Sequence, residues 1–304
     1  MTITAKIIAD SVSQHNIRLT TLELTYPRFI HSEFMTHRVF SRNASSSRAI
    51  PTGRMINSVR NDPAMPINWG KNKSGMQADE ETIHKPLAIT TWEIAAEDAA
   101  NHAGTLSEEC ALHKQVANRL LEPFLHIKVI VTATEWDNFF SLRAHSCAQP
   151  EIQELARVMK EAMMNSTPRD LGIGEWHLPY VEFKDFEDNT FGNEYLPIGK
   201  INHDLHGVLT TNQAIKCSVA RCARVSYLNH DNSTPDINND INLADRLLKD
   251  GHMSPFEHQA TPMKYPEGYD ISCLEYESGI THMDRYGSLW SGNFRGWRQY
   301  RHLI

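Results

Sequence analysis

Residues 35–50 read MTHRVFSRNASSSRAI, and this stretch decides how the rest of the chain is read. Between Arg38 and Arg48 it holds Ser41, Asn43, Ser45, Ser46 and Ser47 with almost nothing apolar between them. Two physical readings compete. One is a solvated polar loop. The other is a set of hydroxyls, amides and guanidinium groups facing an anion with several oxygens, where an arginine supplies both charge and orientation. Composition of the stretch alone favours the loop, so the decision rests on what stands elsewhere.

The 304 residues are 40% apolar and 22% charged, ordinary for a globular chain that buries a sizeable core. A formal net charge of −7 argues against a duplex nucleic-acid binder but allows a small anionic ligand at a local arginine cluster. The five cysteines (Cys110, Cys147, Cys217, Cys222, Cys273) are scattered and odd in number, which fits a reducing compartment better than a disulfide framework. The start, MTITAKIIADSVSQ, has no apolar core of signal-peptide length, and no apolar run reaches the roughly 18 residues of a membrane span. A cytoplasmic protein with neither nucleic-acid nor membrane partners is the expectation. Sixteen histidines suggest metal, but none sit at zinc-ligand spacing with supporting cysteines, so no metal site is expected. Phosphate-loop, dinucleotide-loop, serine-elbow and H-E-x-x-H motifs are all missing.

Outward from the quoted stretch, residues 17–30 (IRLTTLELTYPRFI) alternate with period two and predict a strand. Residues 86–122 take helical spacing, and IKVIVTA (127–133) is a β-branched run that predicts a buried strand. TEWDNFFSLRA predicts a helix with its start at Thr134 and Asp137. After Pro150 a second helix puts Ile152, Leu155, Ala156, Met159 and Met163 on one face. Residues 166–215, rich in Pro, Gly, Asn and Asp, predict a long connection with little regular structure. NNDINLADRLLKD predicts a helix closed by Gly251. The whole is mixed α and β, most simply one domain.

Four blocks carry chemistry. The first is His37 to Arg48. The second is NFFSLRAHSCAQPEIQ (138–153), which by itself is an amphipathic helix with surface polar residues. The third, CARVSY (222–227), is uninformative alone. The fourth, GHMSPFEH (251–258), reads alone as a capped turn with Ser254 as N-cap and Glu257 as its capping-box partner. Together they resemble the flavin-dependent thymidylate synthases. The signature R-H-R-x-x-S-x-N-E-x-S-x-R of that family is matched from Thr36 to Arg48, with Thr36 in place of the first arginine and Ala44 in place of the glutamate. A-R-V-S is Ala223 to Ser226, G-H-x-S/T-P-F-E-H is Gly251 to His258, and N-F-x-x-L-R-x-x-x-x-A-Q-x-E-I runs from Asn138 to Ile152. The block order differs from the family's, since the usual opening blocks stand near the C-terminus. This implies circular permutation: residues 1–165 carry the usual second half, 166–215 a connecting segment, and 216–304 the usual first half. It also implies that residues near 20–35 and near 260–300 lie side by side.

The resemblance implies an α+β fold with a central mixed or antiparallel sheet flanked by helices, and a homotetramer with shared active sites. It implies transfer of a one-carbon unit from methylene-tetrahydrofolate to deoxyuridylate, with FAD supplying hydride and NADPH reducing it. Position by position, Ser45, Ser46, Ser47 and Arg48 hold the nucleotide phosphate, and Glu33 and Arg119 add nucleotide contacts. Arg143 contacts the pyrimidine and favours ionisation at N3, which makes it the catalytic residue. His37, Arg38, Val39, Asn43, Asn138, His252 and Ser254 match flavin-contacting positions. Of the two exchanges, the arginine lost at Thr36 leaves Arg42, Arg54, Arg295, Arg298 and Arg301 as candidates to restore charge, and the glutamate lost at Ala44 changes the edge of the nucleotide site. The exchanges also leave open a pyrimidine nucleotide hydroxymethylase of the same fold, acting on deoxyuridylate or deoxycytidylate, and a catalytically inactive nucleotide-binding relative.

Overall fold

The computed structural model describes residues 3–75, 77–78, 80–188, 192–200, 206–225, 236–267 and 277–304. Ser226 and Tyr227 of the third block, and Cys273, lie outside the described residues. The centre is a five-stranded sheet built from β1 (Thr4–Ser13), β2 (Arg18–Pro27), β3 (Ser41–Ala44), β4 (His126–Ala133) and β5 (Arg169–Leu171), in the order β3-β4-β2-β1-β5. All pairings are antiparallel except β1 with β5, so the sheet is mixed. Of helices α1 (His31–Phe34), α2 (Thr52–Asn61), α3 (Lys85–Glu108), α4 (Lys114–Ala117), α5 (Asp137–Arg143) and α6 (Pro150–Met164), α1, α5 and α6 share the sheet's core, while α2 and α3 form a second cluster with Leu121 and Leu125. The architecture is α+β.

Period two explains how the sheet faces its neighbours. Leu22, Leu24 and Tyr26 of β2 join Ile127, Val129 and Val131 of β4 under Ile152, Leu155, Ala156 and Met159 of α6, all buried. The intervening residues face the other way: Thr21 pairs with Thr132 in register, and Glu23 with Ile130. The predicted strands and the α6 face are therefore both present. β1 escaped the sequence reading because its register shifts between Ile7 and Ala9, and such a bulge moves the apolar residues out of phase. The helical stretch 86–122 is interrupted: α3 stops at Glu108, Ala111 takes φ 50°, and the chain resumes as α4 and a 3-10 turn, Asn118–Phe124. The helix expected to start at Thr134 starts at Asp137, because the Thr134 hydroxyl instead accepts the backbone N–H of Arg295.

The segment 166–215 contradicts its expectation. Besides β5 it holds an antiparallel sheet of β6 (Glu182–Asp188), β7 (Gly192–Lys200) and β8 (His206–Val208). Its turn-forming composition marks the connections, while pairing satisfies the backbone of the strands between them. α7 (Thr211–Arg224) follows, opened by a capping box of Thr210 and Gln213. α8 (Ile237–Lys249) ends as predicted at Gly251, which takes φ 71° while His252 N–H reaches back to the Leu247 carbonyl at 2.9 Å. Two arginines of α7, Arg221 and Arg224, pair with the fully buried Asp240 of α8.

The C-terminal part adds β9 (Ala260–Pro262), β10 (His282–Met283), β11 (Leu289–Ser291), β12 (Phe294–Arg295) and β13 (Trp297–Gln299), with β13 paired to β9. It packs against the central sheet, and the contacts fall on Ile17, Ser41 and residues 132–135 more than on 20–35. Trp297 is fully buried and its indole N–H donates to the Ile17 carbonyl at 3.1 Å. A buried polar chain crosses the same junction. His177 hydrogen-bonds Ser11 at 2.9 Å and Thr21 at 2.8 Å, Thr21 bonds Thr132 at 2.8 Å, and Thr132 bonds His258 at 2.8 Å. No described helix is long and apolar enough to cross a membrane.

Candidate functional site

Arg143 is the last residue of α5, and its guanidinium is fixed from two sides. Nε donates to Nε2 of His37 at 2.9 Å, and Nη1 pairs with the Glu33 carboxylate. His37 is buried, with its ring edge-on to Phe139 at 4.9 Å between centroids. Burial first, then Arg143 and Arg42, hold its pKa below the ordinary 6.5. The ring is therefore neutral at neutral pH, and its Nε2 lone pair can accept. Thr36, standing where the family signature has arginine, donates its hydroxyl to the Glu33 carbonyl at 2.7 Å. Arg42 closes the same turn by donating to the carbonyls of Phe34 and His37.

β3 covers part of the quoted polar run, and the loop after it carries the hydroxyls. The Ser45 hydroxyl accepts the Lys128 N–H at 3.2 Å. Ser47 is buried and donates to Glu122 Oε1 at 2.6 Å, the same oxygen that Arg119 reaches at 2.8 Å. Asn118 pins the loop by donating to the carbonyls of Ser47 and Ile50 at 2.7 and 3.0 Å. Ser46 accepts the Ala49 N–H through its carbonyl, and Arg48 is exposed. Beside this loop lies a cleft of about 470 Å³ whose lining includes Arg28, Ser45, Ser47, Arg54, His126 and Lys128.

Residues 37–48 are where the other three blocks meet. The second block arrives through Arg143 on His37. The third arrives through Asn43, whose Nδ2 donates to the Cys222 carbonyl at 3.4 Å. The fourth arrives through Gln299, whose Nε2 donates both to Ser41 at 3.0 Å and to the Glu257 carbonyl at 2.9 Å. In that block the sequence-level capping box does not form: Ser254–Glu257 is a 3-10 turn without a side-chain cap, and Glu257 pairs with Arg301. Arg38, Val39, Asn138, His252 and Ser254 are exposed. Of the arginines considered as replacements for lost charge, Arg42 serves α1, Arg295 pairs with Glu135, and Arg301 pairs with Glu257. Arg298 keeps a buried Nε with no hydrogen-bond partner among the described residues.

Three participants were not legible in the sequence. Gln299 belongs to a terminal segment that no motif covers. Glu122 lies near Arg119 with no family counterpart, and Asn118 stands one position from Arg119, where the family alignment fits either residue. Nothing in their local spacing signals that a carboxylate and an amide point into the serine loop.

A family model described as thymidylate synthase complementing protein matches residues 11–169. That span contains the blocks at 36–48 and 138–152, while those at 223–226 and 251–258 lie beyond it. Among solved structures, the UMP/dUMP methylase PolB from Streptomyces cacaoi bound with 5-Br dUMP is 18% identical, with 53% of this chain and 90% of that chain covered at a TM-score of 0.45. The same protein with 5-Br UMP gives 16% identity, 53% and 88% coverage, and a TM-score of 0.44. The flavin-dependent thymidylate synthase ThyX from Helicobacter pylori, complexed with FAD and dUMP, is 18% identical over 48% of this chain and 67% of that chain, with a TM-score of 0.33. A comparison with curated proteins gives no match.

Proposed function

The chain belongs to the thymidylate synthase complementing protein family, and from that premise we propose that it transfers a one-carbon unit from methylene-tetrahydrofolate to C5 of deoxyuridylate, forming thymidylate. The observation that carries the reading is the guanidinium of Arg143, held by Glu33 and His37 where the first and second blocks meet. A fixed cation beside pyrimidine N3 lowers its pKa and favours the ionised ring, whose C5 is the better carbon nucleophile. Because Glu33 and His37 orient the group beforehand, little reorganisation is needed when charge develops.

Ser45, Ser46, Ser47, Arg48 and Arg119 hold the phosphate in this reading, with the cleft beside Ser47 as its approach. FAD suits the exposed set of Arg38, Val39, Asn138, His252 and Ser254, together with His37 and Asn43: a guanidinium, amides, imidazoles and a hydroxyl for a pyrophosphate and ring edge, with Val39 as an apolar contact. When bound, FAD supplies the hydride, with NADPH as its reductant. The chain's own part is to bind, to orient and to bias the ring's ionisation. We further read the block order as a circular permutation of one domain, with 1–165 and 216–304 as the exchanged halves and 166–215 joining them. The Trp297–Ile17, Gln299–Ser41 and Arg295–Thr134 contacts support it. A homotetramer is part of the same proposal.

The test is to incubate the purified chain with deoxyuridylate, methylene-tetrahydrofolate, FAD and NADPH and weigh the nucleotide product. Thymidylate upholds the reading. A 5-hydroxymethyl nucleotide replaces it with the hydroxymethylase, and no nucleotide binding at all ends it.

A further inference from the structure

Glu122 is a carboxylate set among the donors that a phosphate would use. Its Oε1 accepts from Ser47 Oγ at 2.6 Å and from Arg119 Nη1 at 2.8 Å, and it lies 3.1 Å from Arg28 Nη2. The three donors come from three segments: the loop after β3, the 3-10 turn Asn118–Phe124, and the turn after β2. A hydroxyl and two guanidinium groups converging on one anionic oxygen is the coordination expected around a phosphate oxygen. Ser47 and Arg28 also line the neighbouring cleft, so a ligand there reaches two of the three donors.

We propose that Glu122 is a built-in counter-anion that competes with the substrate's phosphate for Ser47, Arg119 and Arg28, and thereby sets how strongly the site prefers a nucleotide over its nucleoside. The proposal rests on the nucleotide-binding reading given above. The physical reason is charge: a carboxylate and a phosphate dianion cannot share one set of donors without repulsion. Binding of the phosphate therefore requires the carboxylate to swing away, and part of the phosphate's binding energy is spent on that displacement. The loop itself does not depend on Glu122, because Asn118 holds the carbonyls of Ser47 and Ile50 independently.

The experiment compares the dissociation constants of dUMP and deoxyuridine, by calorimetry on the full chain, for the unaltered protein and Glu122→Gln. The glutamine keeps an acceptor for Ser47 but removes the charge. Tighter dUMP binding by about tenfold with deoxyuridine unchanged supports the proposal, and a purely structural role would move both ligands together. Unchanged or weaker dUMP binding overturns it, as does an equal change for both ligands. If the unaltered chain makes thymidylate but Glu122→Gln leaves the ratio of the two constants unmoved, this inference alone fails. If neither protein binds dUMP, the nucleotide reading fails and this inference with it. Should the variant not fold, a crystal structure of the unaltered chain with dUMP decides. Glu122 Oε1 withdrawn from Ser47 Oγ beyond hydrogen-bond reach supports the proposal, and a retained bond overturns it.

Discussion

Arg143 and His37, 106 positions apart in sequence, are joined by a 2.9 Å hydrogen bond from Nε to Nε2. The bond requires an unprotonated ring nitrogen, and burial beside two guanidinium groups keeps the His37 pKa low enough to provide it. The orientation of one cation thus depends on the neutrality of one imidazole.

Arg143→Lys tests that orientation directly. Lysine keeps the charge but loses the planar fork and the Nε donor. We expect kcat/KM for thymidylate formation to fall by about 100-fold, equivalent to about 2.7 kcal/mol of transition-state stabilisation, with the thermal transition nearly unchanged. A variant within threefold of the parent would show that charge alone suffices.

The same pair predicts an acid limb. His37 gains a proton only below its ordinary pKa of 6.5, and the protonated ring cannot accept from Arg143. The kcat/KM profile is expected to drop on the acid side at a pH below 6.5, and His37→Gln, which keeps an acceptor without the titration, is expected to remove that limb.

Stability has its own pH dependence. His177 and His258 are fully buried with pKa values lowered to about 3, and His31 is lowered to about 4. Because each folded-state value lies below the unfolded one, each contribution is fully present above about 6.5 and is lost as pH falls towards the folded values. Each histidine costs on the order of 1.4 kcal/mol per pH unit within that window. Urea midpoints measured from pH 7 to pH 4 should fall steadily, and a flat profile would contradict the buried histidine chain.

Asp240 holds Arg221 and Arg224 with no exposure of its own side chain. Asp240→Ala leaves two partly buried cations without their shared carboxylate, although Arg221 still donates to the Tyr180 carbonyl, an expected loss of about 3–5 kcal/mol. Denaturant unfolding followed by far-UV circular dichroism reads it, and a loss under 1 kcal/mol would mean that solvent reaches the arginines freely.

Gly296 marks how tightly the C-terminal segment meets the first hairpin. Its φ is 71°, and an added Cβ would stand 2.3 Å from Ile17 Cδ1. Gly296→Ala is expected to cost at least about 1–2 kcal/mol from backbone conformation alone, with further loss from the displaced Ile17. Hydrogen exchange at the Trp297 indole, which bonds the Ile17 carbonyl, should accelerate with it.

What could be read in advance follows from the range of the interactions. The strands at 17–30 and 127–133 and the apolar face of α6 are legible because burial imposes period two or 3.6 on neighbouring residues. Gly251 is legible because a left-handed helix stop favours glycine locally. The strands within 166–215 were hidden, since a small sheet of short strands between turn-rich segments shows mostly its turns. β1 was hidden by its bulge.

The candidate site divides the same way. Which residue types stand at 36–48, 138–152, 223–226 and 251–258 is a property of the sequence, and the family follows from it. Which of them face one another is not. Ser41 meets Gln299, Asn43 meets Cys222, and Ser47 meets Glu122 across 258, 179 and 75 positions. Such contacts carry no local periodicity; they exist because packing two buried layers on one sheet brings distant polar groups to its edge, where each must find a partner. The sequence determined the chemistry on offer, and only the tertiary structure decided that Glu122 would stand among Ser47, Arg119 and Arg28.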